Sequence, residues 1–165
     1  VSPLSQGIII SRNYYNAKDQ KVSIQKAKQG ELVFVRLTII SPTDLRYVVI
    51  DDPLPAGLEA VDKSLLSSAR YTSPEIPEST YNVPADAPWM KNDIPSWGWQ
   101  YFDHVELRDE KIILSATILP KGTYTYTYLA RATSKGEFHV IPPTAQEFYF
   151  PEVYGRGNGS VFTVE

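Results

Sequence analysis

Residues 123–133, TYTYTYLARAT, alternate without a break. Period 2 in a Tyr/Thr-rich run is the mark of a β-strand with one face toward a core. Tyr124, Tyr126, Tyr128, Ala130 and Ala132 share one face, and Thr123, Thr125, Thr127, Leu129 and Arg131 share the other. Pro120 and Gly122 just before the run have the spacing of a type I turn. Ser134-Lys135-Gly136 after it reads as a reversal, with Glu137 to Val140 returning as the partner strand. Pro142-Pro143 ends that ladder, because proline has no N–H to give. A chain with such a strand, 13 prolines and frequent turn signals is expected to be all-β.

The rest of the chain follows the same logic. Gly7 to Tyr15 and Val22 to Gln25 read as short strands. Leu32 to Ile40 (LVFVRLTII) is almost continuously apolar between a glycine and a proline, which predicts a central strand buried on both faces. Tyr47 to Ile50 is another strand. Asp51 to Gly57 holds two prolines and a glycine, and reads as an irregular corner carrying the chain between two sheets before Leu58 to Val61. Asp62 to Ser68 has the N-cap candidate Asp62 for a turn or two of helix. Residues 62–98 form a long Pro-rich insertion, of which Tyr71 to Ser96 is expected to be the most mobile part. Trp99 to Leu107 and Lys111 to Ile118 pair around Arg108-Asp109-Glu110. The sum is one domain over residues 1–165, an antiparallel β-sandwich of roughly nine strands by turn spacing.

Several functions are disfavoured by what the chain contains. A net charge of −3 is not the basic face that nucleic acid requires. There is no cysteine, hence no disulfide, thiolate metal site or cysteine nucleophile. Asp51 and Asp52 are adjacent on a strand and point to opposite faces, so they cannot flank one glycosidic bond. His104 and His139 lack metal-ligand spacing, and Ser160 lies at a strand start rather than in a strand-to-helix elbow. Gly155 to Gly159 resembles a phosphate loop, but no helix follows; Asn158-Gly159 reads as a hairpin turn. No cofactor or metal is expected. No run of about 18 apolar residues is present. Ile8-Ile9-Ile10 is too short for a signal-peptide core and lacks a basic flank, so the chain is read as a mature protein or a segment of a longer one.

The feature that stands out is Phe148-Tyr149-Phe150, with Tyr154 close behind. Three consecutive aromatics on an extended chain cannot all face one way, so at least one ring is expected outside, as a contact surface.

The order LPKGTYTYTYLARATSKGEFHVIPP, then EFYFPEVYGR, then a terminal strand, resembles the C-terminal domain of bacterial alpha-2-macroglobulins. SRNYY, QGELVFVRLTI, YVVIDDPLPAGLEAV and ELRDEKIIL agree with that likeness. The resemblance implies a macroglobulin/fibronectin-like sandwich that performs no chemistry itself, within a protease-trapping parent chain. It also implies that the loop Phe148, Tyr149, Phe150 and Tyr154 covers a thioester in a neighbouring domain. Phe148 stands where the family has Met, and Tyr149 where it has Tyr. Implied partners are the thioester domain, other domains of the parent chain and, through the whole protein, target proteases; the separate domain is expected to be a monomer. The implied location is the periplasm or cell envelope, with the parent anchored through its N-terminus. In a bacterial protein the Asn158-Gly159-Ser160 glycosylation sequon has no meaning. The thioester itself requires a Cys-x-x-Gln upstream. The competing expectation is a carbohydrate- or surface-binding sandwich with Trp89, Trp97 and Trp99 as a stacking platform.

Overall fold

The computed structural model describes residues 1–61, 81–82 and 102–165. The expected helical turns at Asp62 to Ser68, the mobility of Tyr71 to Ser96 and the Trp89, Trp97, Trp99 platform lie outside these residues. No helix occurs among the described residues.

Two six-stranded sheets face each other. The first orders β1 (Leu4–Gln6), β14 (Tyr154–Arg156), β13 (Thr144–Glu147), β6 (Leu45–Pro53), β10 (Lys111–Leu119) and β9 (His104–Leu107). The second orders β3 (Asp19–Ile24), β2 (Ile9–Asn16), β5 (Leu32–Ser41), β11 (Gly122–Ala132) and β7 (Leu58–Ala60), with β8 (Tyr81–Asn82) also pairing β11. A small third sheet orders β12 (Gly136–Val140), β15 (Ser160–Val164) and β4 (Lys26–Ala27). Among the described residues every pairing is antiparallel except β15 with β4 and the isolated bridge Gly7 to Tyr154. The architecture is the expected β-sandwich.

The period-2 pattern of each inner strand sets the core. Val33, Val35, Leu37 and Ile39 of β5 lie beside Tyr124, Tyr128, Ala130 and Ala132 of β11, opposite Val48, Ile50, Ile112, Leu114 and Ala145 of the first sheet. β5 sits centrally, between β2 and β11, as expected. Only its first half is covered on both faces. Phe34 packs with Leu129 on the outer face, flanked by Tyr15, Leu32 and Val61. From Arg36 onward the outer positions Thr38 and Ile40 are partly or fully exposed. For the same reason β11 departs from one-sided burial: Thr127 and Leu129 on its second face are buried too.

Three local expectations are corrected. β12 does not return against β11, because the far edge of β11 is occupied by β7 and β8. The chain instead passes beneath Gly57, whose carbonyl accepts from Thr133 N–H at 2.8 Å, and β12 pairs with β15. A Cβ on Gly57 would lie 2.3 Å from the Phe138 ring and 2.8 Å from the Ser134 carbonyl oxygen, so glycine permits the crossing. Second, Asn158-Gly159 is not a hairpin turn: β14 and β15 belong to different sheets, and residues 157–159 carry the chain from one to the other. Third, the ladder does not stop at Ile50. β6 runs through Asp51 and Asp52 to Pro53, opposite Lys111. Leu54 N–H donates to Glu110 O at 2.9 Å, so the nitrogen of Pro53 points to the other side. There β13 has ended with the pair Thr144 to Asp51, so the missing donor costs no ladder bond. The corner itself is shorter, Leu54 to Gly57, and does carry the chain between the sheets.

The sheets are joined by a charged network inside the core. Arg12 of β2 and Asp52 of β6 occupy inward positions, in phase with Ile10 and Tyr14 and with Val48 and Ile50. Arg12 Nη1 donates to Asp52 Oδ1 at 2.5 Å and to the Pro53 carbonyl at 2.8 Å, and Nη2 donates to the Ile141 carbonyl at 3.0 Å. Tyr128 Oη donates to Asp52 Oδ2 at 2.6 Å. The Arg12 and Asp52 side chains are 2% and 0% exposed. Burial holds the Asp52 carboxyl above its ordinary value, against the pull of Arg12 and Tyr128. Burial works to lower the Arg12 value as well, but Asp52 and the nearby tyrosines outweigh it and raise it. The guanidinium therefore stays charged, and the carboxylate carries the desolvation cost. Asp51 points outward to Lys111 Nζ at 2.8 Å, so the two carboxylates do face opposite sides.

Breaking this pair should cost far more than replacing it. In urea melts, Arg12→Met alone is expected to lose about 3–5 kcal/mol, with Arg12→Met/Asp52→Leu recovering most of the loss. A second expectation concerns alkali. Burial raises the phenols of Tyr14, Tyr126 and Tyr128. Groups raised in the folded state give stability that is complete below the unfolded tyrosine value, about pH 10, and is lost as pH rises toward the folded values. Each should remove about 1.4 kcal/mol per pH unit in that window. The Tyr14 hydroxyl is buried with no hydrogen-bond partner among the described residues. Tyr14→Phe should therefore keep neutral-pH stability and shrink the alkaline loss; denaturant titrations at pH 8 and pH 11 measure both.

Candidate functional site: an exposed aromatic turn

The loop after β13 begins at a buried acid. Glu147 is 8% exposed, and its Oε1 accepts from the Arg46 N–H at 2.9 Å. Phe148 N–H donates to the Tyr47 carbonyl at 2.8 Å. The chain then turns back: Val153 N–H donates to Phe150 O at 2.9 Å and Glu147 N–H to Val153 O at 3.1 Å. β6 thus holds the loop at its base.

Because residues 148–153 turn rather than extend, the alternation that would bury one ring does not apply. Phe148, Tyr149 and Phe150 are 64%, 64% and 58% exposed. Phe148 and Tyr149 meet edge to face at 5.2 Å between ring centroids. Tyr154 differs from them: it is half-buried in β14, paired with Gln6 and Gln146.

Tyr47, which sequence reasoning left as a plain strand residue, completes the patch. Its ring is 49% exposed and meets Tyr149 edge to face at 5.1 Å. Its backbone is left-handed, with φ of 52°, a conformation that costs a residue with a Cβ roughly 1–2 kcal/mol. That flip lets Leu45 and Val48, three apart, both point inward. The broken alternation in LRYV was the available signal. Beside the rings lies a shallow groove floored by Val49, Ser115 and Thr117 and bordered by His104 and Asp103. His104 and His139 are both exposed, and no group of three or more acidic, His or Cys side chains suited to a metal occurs among the described residues.

The fold has parallels among known proteins. Residues 7–152 match the bacterial alpha-2-macroglobulin MG10 domain. The chain belongs to that family. An alpha-2-macroglobulin homolog of Nostoc sp. is 28% identical over 156 residues, 94% of this chain and 7% of its own length. Among solved structures, Escherichia coli alpha-2-macroglobulin activated by porcine elastase has a TM-score of 0.76 at 22% identity, over 100% of this chain and 14% of that one. Salmonella alpha-2-macroglobulin reacted with methylamine has a TM-score of 0.72 at 24% identity, over 99% and 10%. The chain spans less than a tenth of the Nostoc relative, and in both structures the matching fold is one part of a much longer chain.

Exposure of the rings makes them dispensable for folding. Phe148→Ala and Tyr149→Ala are expected to change thermal stability by less than about 1 kcal/mol, whereas Phe162→Ala, fully buried against Tyr14, should cost about 3–5 kcal/mol. Thermal melts of the three variants separate a contact surface from a core.

Proposed function

We propose that this MG10 domain is a non-catalytic part of a bacterial alpha-2-macroglobulin-like protease inhibitor, and that its aromatic turn packs on a neighbouring thioester domain and shields the bond. The observation that carries the reading is the solvent-facing run Phe148-Tyr149-Phe150 on a turn clamped at its base. Three adjacent rings left in water are costly for a lone domain, and such patches tend to be covered by a partner. The family supplies the partner: another domain of the same chain. Met-to-Phe at position 148 keeps a bulky apolar cover.

On this reading the parent traps a protease after a cut elsewhere, and the loop contact is one of two states that the cut switches between. A contact surface made of rings suits such a switch. It excludes water while closed and holds no covalent or metal bond that would resist opening. The parent acts in the periplasm or cell envelope, anchored through its N-terminus. The Salmonella relative has been obtained reacted with methylamine, which indicates the assay.

In the uncleaved parent chain, Tyr149→Ala or Phe148→Ala is expected to raise the rate of methylamine consumption several-fold over wild type, with no change in domain stability. Unchanged amine reactivity in both variants, or none in the wild type, would rule out shielding.

A further inference from the structure

The proposed loop acts through ring positions, and those are set by a residue outside it. We propose that Tyr47 is a positioning residue for the aromatic turn, holding Tyr149 and Phe148 in place before any partner arrives. This rests on the shielding reading for its purpose, but not for its geometry.

Three observations converge on Tyr47. Its left-handed backbone aims its carbonyl at the Phe148 N–H, 2.8 Å away. Its ring meets the Tyr149 ring edge to face at 5.1 Å, and Tyr149 meets Phe148 in turn at 5.2 Å, so three rings form a chain. Its neighbour Arg46 ties down Glu147, the first residue of the turn's base. One β6 dipeptide thus grips both the backbone and the rings of the loop.

The choice of residue is informative. A left-handed position is met most cheaply by glycine, or by asparagine. A large aromatic there is retained against a local cost, and outliers of this kind concentrate where geometry serves function. Packing of the core does not account for the ring, which is about half exposed and points away from the apolar interior. Among the described residues its ring partner is Tyr149. What the ring supplies is preorganisation: the rings of a surface turn would otherwise sample many rotamers, and ordering them on contact would weaken the cover.

The test uses the parent chain with Tyr47→Asn, Tyr47→Phe and Tyr149→Ala. Asparagine tolerates the left-handed backbone, so the fold survives while the ring is lost; phenylalanine keeps the ring and serves as rescue. Two readouts are taken: amide exchange of residues 146–153 by mass spectrometry, and methylamine consumption before cleavage. Tyr47→Asn is expected to speed loop exchange and amine consumption by roughly 3- to 10-fold, the size of one aromatic pair. Tyr47→Phe should match wild type in both. If Tyr149→Ala raises amine consumption while Tyr47→Asn changes neither readout, the positioning role is overturned and shielding stands. If Tyr149→Ala leaves amine consumption unchanged, or wild type consumes none, shielding fails and exchange alone decides: faster loop exchange in Tyr47→Asn supports the positioning role, and unchanged exchange overturns it.

Discussion

The guanidinium of Arg12 is the point on which the two sheets agree. It leaves β2 through the apolar interior, reaches Asp52 and the Pro53 carbonyl on β6, and touches the Ile141 carbonyl on the way out of the small third sheet. Apolar side chains tolerate sliding of one sheet over another, because their attraction has little direction. A buried guanidinium does not. Its planar fork accepts partners only at fixed angles, and any slip would strand a charge in the core. Tyr128 adds a hydroxyl from β11, so two strands of the second sheet bear on one carboxylate of the first. The cost of burying Asp52 argues that this network is kept for register rather than for net stability.

That fixed registry carries outward to the aromatic turn. β6 lies at the centre of the first sheet, with Asp52 at its inner end and Arg46-Tyr47 at the other. Locking Asp52 locks the strand, and the strand holds the base of the loop through Glu147 and Phe148. The rings at its tip thus project from a surface turn that is tied down at its base. Such a device is suited to covering something on a neighbour.

Much of this could be read from the chain. The longer strands, the sandwich, a sheet-switching corner (begun three residues early, at Asp51) and the opposite facing of Asp51 and Asp52 follow from period 2 and proline placement; the short strands β1, β4, β13 and β14 do not. The aromatic loop was also visible, and the family likeness rests on motifs that span it. Its geometry was not visible: an extended chain must bury one ring in three, a turn need not, and the turn is closed by backbone bonds that no side chain announces. Tyr47 was missed because neither glycine nor asparagine announces its left-handed φ, and the broken alternation in LRYV is a weak signal by itself. Arg12 and Asp52 were missed as a pair because 40 residues separate them, and a charged residue at an inward position looks like an ordinary surface residue.

The sequence by itself determined where the longer strands lie and which of their faces turns toward the main core. Those properties are local: they depend on neighbours two residues away and on where proline and glycine stand. Which strands pair was decided by tertiary structure. Glu137 to Val140 had every local sign of returning against β11, yet that edge was already taken by β7 and β8, and the strand found β15 instead. Likewise Asn158-Gly159 has a hairpin's residues but spans two sheets. An edge has one vacancy, and competition for it among distant segments is settled only when the whole chain has collapsed onto one core.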